Sequence, residues 1–370
     1  MIAILLPLVV VTPMLGAVAG VVLRHRRTVT AWLLSILSVA MLMVGVGLLT
    51  AVAQGGIIVH HLALWPAGIA IPLVADMFSA LMITTSALIV LACGAFALAS
   101  GEAARPLFTP LVLILSAGTY GALLTGDLFN LFVFVEVMLM PSYALLALFE
   151  RRREPAAGRL FLITNLLASM LLLIGVALVY GTAGTVNLGA LAGAARQEPE
   201  VAVAAGVVVV ALSLKASVVP MHGWLAQTYP FTSPAINALF SGLHTKVAIY
   251  AIYRVYAVVF EGDERYLPVL LVVMGATMLV GVLAALGQDR GRSILSFHMI
   301  SQIGYILLGL ALFGELGLAA GIFYMVHNII VKASLLLTVG AVEVGYGTDD
   351  IREVTGLART EAVTAIAFVI

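Results

Sequence analysis

A single cysteine, Cys93, occurs in 370 residues. That excludes an internal disulfide and any cysteine-ligated cluster, and leaves Cys93 as a small apolar filler. Lysine is almost as scarce, with only Lys215, Lys246 and Lys332 present. Charged residues make up 10% of the chain and balance to zero, which argues against a nucleic-acid partner. No metal-ligand spacing, phosphate loop or nucleophile triad is visible, and no cofactor is expected. A haem would need histidines facing each other on neighbouring spans, and His244 and His327, crowded by lysines, fit that poorly. What is abundant is apolar: 63% of the residues, with a mean hydropathy of +1.17. No soluble domain of this length needs so much.

Runs of apolar residues long enough to cross a bilayer recur along the whole chain. The first ends in Arg24-His25-Arg26-Arg27. A cleaved leader carries its charges before the apolar run, so a first span is expected here. Spans are expected near 2–23, 29–50, 74–99, 106–125, 128–149, 159–180, 201–219, 234–259, 267–287, 293–313 and 317–342. A twelfth begins near Glu361. The stretch to Ile370 covers only about 14 Å, less than half of a hydrocarbon core of roughly 30 Å, so the natural chain is expected to continue. The expected fold is an all-α integral membrane bundle: eleven complete helices and the start of a twelfth.

Twelve arginines fall on the side of the first loop: Arg24, Arg26, Arg27, Arg105, Arg151, Arg152, Arg153, Arg159, Arg290, Arg292, Arg352 and Arg359. Only Arg196, Arg254 and Arg265 fall opposite. Basic residues mark the cytoplasmic side, so the N-terminus is expected outside, in a bacterial cytoplasmic membrane. Residues 54–72 are rich in Gly, Pro and β-branched residues and predict a short hairpin on the outer surface. Residues 183–200 predict a short amphipathic helix.

Lysine is confined to the apolar stretches, and that is the main clue to function. An intramembrane charge is costly and marks a functional site by default. Lysine, unlike arginine, gives up its proton when buried. Lys215 precedes Pro220 by five residues in LSLKASVVPMHGW, a pattern that predicts a helix broken within the membrane. Lys246 lies about 18 Å beyond Pro234, with His244 two residues earlier. His327 and Lys332 repeat the pairing. Glu136 lies about 14 Å beyond Asp127, close to mid-bilayer, with Pro141 following. Asp127 reads as a cap or a functional acid. Glu136, Lys215, Lys246, His327 and Lys332 thus form a series of titratable groups suited to passing protons, with His244 as a further candidate. Fixed ion pairs holding helices together are the competing explanation, and Lys332 with Glu343 is a candidate pair.

These segments resemble the D-type subunits of the multisubunit Mrp-type sodium/proton antiporters, and more broadly the antiporter-like proton-pumping subunits of respiratory complex I. The motifs are WPAGIAIPLVADMFSALM, TGDLFNLFVFVEVMLMPSYAL, LKASVVPMHGWLAQTYPFTSPAINALFSGLHTKVAIYAIYR and DRGRSILSFHMISQIGYILLGL. The GDLFN opening favours the Mrp branch. The resemblance places the family's fifth-helix glutamate on Glu136, its seventh- and eighth-helix lysines on Lys215 and Lys246, and its eleventh-helix histidine and lysine on His327 and Lys332. It implies fourteen helices, the seventh and twelfth broken, and two inverted five-helix repeats. Residues 1–105 would hold three helices and the hairpin, 106–260 the first half-channel repeat, and 261–370 a truncated second. It also implies partner membrane subunits, exchange of H+ for Na+ or K+, and no enzymatic activity. A proton-pumping subunit of an NADH dehydrogenase or a membrane-bound hydrogenase is the alternative.

Overall fold

A chain this apolar has to satisfy its backbone internally, and helices do so within one segment. The computed structural model describes residues 2–62, 70–149, 155–361 and 364. In chain order the helices are α1 (Leu8–Val22), α2 (Arg27–Gly55), α3 (Met77–Ser100), α4 (Phe108–Leu124), α5 (Leu128–Phe149), α6 (Pro155–Ala183), α7 (Ala194–Gln197), α8 (Pro199–Lys215), α9 (Gly223–Thr228), α10 (Pro234–Val258), α11 (Leu267–Leu286), α12 (Gly291–Ala311), α13 (Glu315–Tyr346) and α14 (Leu357–Thr360). Two strands, β1 (Ile58–His61) and β2 (Pro72–Ala75), pair antiparallel with Ile58 opposite Ala75 and His61 opposite Pro72. The expected hairpin is therefore present, its second strand running on to Ala75, although residues 63–69 lie outside the described residues. The helix expected over 183–200 shrinks to α7. The preceding turn is tied by Asn187, whose Oδ1 accepts from the N–H groups of Gly189 and Ala190.

Each of the eleven segments expected to span contains a helix. Eight of these are long and apolar enough to cross a membrane by themselves: Ala3–Val22, Arg27–Gly55, Met77–Ser100, Leu128–Phe149, Ala156–Ala183, Leu267–Leu286, Gly291–Ala311 and Glu315–Tyr346. The other three differ for physical reasons. α4 and α8 have only 17 residues each, and α10 is broken up chemically by Asn237, His244, Lys246 and Arg254. The start of the twelfth span falls almost wholly outside the described residues, as do Arg151, Arg152 and Arg153.

Local chemistry sets the helix ends. Asp76 and Ser79 form a reciprocal capping box at the start of α3. Gly101, in the left-handed region, ends that helix. Glu102 then reaches the N-terminus of α10, accepting from Ser233 Oγ at 2.6 Å and from the Ala235 N–H at 3.4 Å. A carboxylate there complements the helix dipole, while burial raises its pKa above the usual glutamate value.

α10 is the hub of the fold. It is buried along most of its length and packs against α3, α4, α5, α8, α12 and α13. α1, α2, α6 and α11 lie outside and expose Leu15, Met43, Ile163 and Leu283. Such faces are liabilities in water but cost nothing in lipid. α4 and α5 approach so closely at Gly118 that a Cβ there would strike the backbone of Met138. This fixes the part of α5 that carries Glu136.

Two arginine–carboxylate clusters lie at the two ends of the bundle. At one end Arg292 pairs with Glu343 at 2.8 Å and Asp349 at 3.7 Å, and donates to the Thr232 carbonyl. The expected Lys332–Glu343 pair does not form. Eleven residues along one helix separate the two by about 16 Å, and Glu343 is taken by Arg292. At the other end Arg254 pairs with Asp76 and lies over the rings of Tyr250 and Phe78.

Candidate functional site: a buried row of ionisable groups

α5 and α8 bring Glu136 and Lys215 together. Lys215 Nζ lies 3.8 Å from Glu136 Oε1, with the lysine 5% exposed and the glutamate 18%. Ser169 of α6 sits between them. Lys215 Nζ donates to Ser169 Oγ at 2.7 Å, and Ser169 Oγ donates to Glu136 Oε1.

The helix break expected beside Lys215 is present. α8 ends at Lys215 and α9 begins at Gly223. Side chains satisfy backbone groups at the break: the Trp224 indole N–H donates to the Leu214 carbonyl at 3.0 Å, and the Val219 N–H donates to Thr277 Oγ1 at 3.2 Å. Backbone freed from a helix at membrane depth must find such partners.

Beyond Lys215 lies a cavity of about 10 Å³, room for roughly one water. Lys215 and His244 line it, together with Asn165, Val135 and Met138. His244 Nε2 lies 2.7 Å from Ser142 Oγ. Ser142 spends its one proton on the Met138 carbonyl at 2.8 Å. His244 therefore donates from Nε2, which leaves Nδ1 as the acceptor facing Tyr229 Oη at 3.4 Å. The ring packs on Phe240 with centroids 4.3 Å apart.

Lys246 is fully buried in α10, and its Nζ has no hydrogen-bond partner among the described residues. Lys332 of α13 is also fully buried and lies within electrostatic reach of it. Lys332 Nζ lies 2.5 Å from Nδ1 of His298 on α12. One turn along both helices, Asn328 Nδ2 donates to Gln302 Oε1 at 2.7 Å. The rings of Tyr305 and Tyr324 follow, 6.0 Å apart. α12 and α13 thus share an antiparallel polar ladder.

His327 is not beside Lys332. Five residues on an α-helix rotate the side chains about 140° apart, so the two cannot share a face. His327 is exposed and stacks on Tyr324 at 5.8 Å. His298 holds the place next to Lys332 instead. The four-residue spacing of Asn328 to Lys332 and of His298 to Gln302 was a signal available in the sequence. Ser169 and Ser142 carried none, since lone serines are common in apolar helices. Asp127 is a cap: its Oδ1 accepts from the Asn130 N–H at 2.8 Å, at the entrance to α5. Among the described residues no group of three or more His, Cys, Asp or Glu could hold a metal ion.

Comparison with known proteins gives a consistent result. Residues 125–370 match the family model described as NADH:quinone oxidoreductase/Mrp antiporter, TM. The chain is 40% identical over 338 residues to the D-type subunit of the Na(+)/H(+) antiporter of Alkalihalophilus pseudofirmus, covering 90% of this chain and 69% of that protein. It is 31% identical to the subunit of the same name from Bacillus subtilis, over 98% of this chain and 75% of the other. Among solved structures, a chain of the Mrp complex from Dietzia sp. DQ12-45-1b superposes with a TM-score of 0.98 at 54% identity, over 100% of this chain and 70% of that one. A chain of the membrane-bound sulfane sulfur reductase, an archaeal respiratory membrane complex, superposes with a TM-score of 0.91 at 26% identity, over 100% of this chain and 76% of that one.

Proposed function

Because the chain belongs to the NADH:quinone oxidoreductase/Mrp antiporter family of membrane proteins, we propose that it is the D-type subunit of a multisubunit Na+(or K+)/H+ antiporter and moves protons through its buried row. The observation that carries this is the Glu136–Ser169–Lys215 cluster, seated beside a helix break and next to a cavity with room for water. Two opposite charges in hydrocarbon are costly unless they pair. A pair whose lysine can lose its proton can also switch. Glu136 sets the charge state of Lys215. Water and His244 connect it toward Lys246, and Lys332 receives the proton on the far side. His298 assists Lys332, and the ladder through Gln302, Asn328 and Tyr324 leads out to His327 at the surface. Transport, not a chemical conversion, is the activity, and the other subunits of the complex are the partners.

The eleven helices read as eleven crossings, with α8 and α9 as the two pieces of a broken seventh. Residues 1–105 support the site, 106–260 form the first half-channel, and 261–370 belong to its inverted counterpart. The arginine bias puts the N-terminus outside a bacterial cytoplasmic membrane. The redox-complex reading is weaker, since identity to the respiratory complex is 26% against 54% to the Mrp complex. Dye-monitored proton exchange in everted vesicles containing the full complex, with sodium, potassium and lithium compared, tests the proposal. Absence of cation-driven proton movement in those vesicles would overturn it.

A further inference from the structure

Ser169 stands between two charges that do not touch. Lys215 and Glu136 are 3.8 Å apart, beyond a strong hydrogen bond, while the serine hydroxyl contacts both. An ammonium has three donors and no lone pair. The hydroxyl must therefore accept from Lys215 and give its one proton to Glu136. Other serines in these helices use the hydroxyl differently. Ser116, Ser142 and Ser296 donate to the carbonyl four residues back, the ordinary habit of a buried helical serine. Ser169 aims at two side-chain atoms from two other helices instead.

We propose that Ser169 is the relay through which Lys215 and Glu136 exchange a proton, so that the pair alternates between charged and neutral without direct contact. This rests on the reading of Glu136 and Lys215 as the switching pair. In the step, an N–H bond of Lys215 breaks as that proton bonds to Ser169 Oγ. The original Ser169 O–H bond breaks as its proton bonds to a Glu136 carboxylate oxygen. Lysine ends as a neutral amine, glutamate as a carboxylic acid, and serine as a hydroxyl that has changed its proton. Every bond in the chain has then reversed: the acid donates to Ser169, and Ser169 donates to the amine. The serine never carries net charge, which suits a site with little water. Reversal restores the ion pair.

The experiment uses the full complex in everted vesicles, with Ser169→Ala, Ser169→Thr and Glu136→Ala measured against the parent across the pH range. Ser169→Ala should lower exchange on the order of 100-fold, the usual scale for losing a positioned proton-transfer group, at all pH values and with the complex still assembled. Ser169→Thr, which keeps the hydroxyl, should recover most of the rate. Full activity of Ser169→Ala alongside an inactive Glu136→Ala overturns the relay and leaves the switching pair intact. Equal inactivity of the alanine and threonine variants also overturns it, because the position then matters for shape and not for its hydroxyl. Full activity in both Ser169→Ala and Glu136→Ala overturns the underlying pair as well.

Discussion

His298 Nδ1 and Lys332 Nζ lie 2.5 Å apart across the α12–α13 interface. With the ammonium as donor, the imidazole must present a lone pair there, so its own proton sits on Nε2. A neutral histidine against a charged lysine is an arrangement ready to take a proton. His298→Ala should therefore slow exchange by about 10-fold or more, in line with a lost proton-transfer partner. His327→Ala, at an exposed position, should cost much less. Steady-state exchange in vesicles separates the two, and the reverse order would remove His298 from the scheme.

Glu136→Ala should reduce antiport to background while the complex remains in the membrane at normal abundance. Glu136 is partly buried, is hydrogen-bonded by Ser169 and lies 3.8 Å from Lys215, so on the proposed scheme its removal eliminates the switch without emptying a large volume. Membrane fractions probed for assembly, together with exchange rates, check this. Parent-like rates in an assembled variant would exclude Glu136.

Lys215→Ala should be inactive, and Lys215→Arg should be inactive too. Guanidinium keeps its proton at any accessible pH, so it can balance Glu136 but cannot switch. A fully active arginine variant would identify Lys215 as a counter-charge only.

Arg292→Met tests the opposite class of residue. The guanidinium is buried against Glu343 and Asp349, and its loss strands those carboxylates. The expected cost is about 3–5 kcal/mol, seen as a lower melting temperature in detergent and reduced yield. An unchanged melting temperature would show that water reaches this end freely.

Asp76 gives a pH signature. Burial opposes its charge, but the Arg254 guanidinium and the hydrogen bonds from Ser79 together outweigh burial and hold the carboxyl below its ordinary 3.8. A depressed carboxyl pKa stabilises the fold above the unfolded value and loses that contribution as pH falls through the folded one. Asp76→Asn should therefore lower thermal stability at neutral pH, with the difference shrinking below about pH 3.8. A difference that does not change with pH would show that the carboxylate's charge is not the source, since asparagine keeps the capping oxygen.

Much of the architecture was legible in the residues. The apolar runs located all the long helices, because hydrocarbon thickness fixes their length and polar breaks must lie between them. The break after Lys215 was legible too, since proline cannot continue the hydrogen-bond ladder. The confinement of lysine to those runs led directly to Lys215, Lys246 and Lys332. Partners across helices were not legible. Sequence periodicity reports which way a side chain faces on its own helix, not what stands opposite. Proximity in the chain pairs His327 with Lys332, but the helical twist carries it to another face. Ser169, His298 and the Arg292–Glu343 pair depend on how α5, α6, α8, α12 and α13 meet. That is decided by close packing at positions such as Gly118, where two backbones touch and no side chain could fit. Composition thus determined that this protein lives in lipid and carries protonable groups there. The tertiary contacts alone decided which groups are close enough to exchange a proton, because proton transfer depends on distances of a few ångströms between residues far apart in the chain.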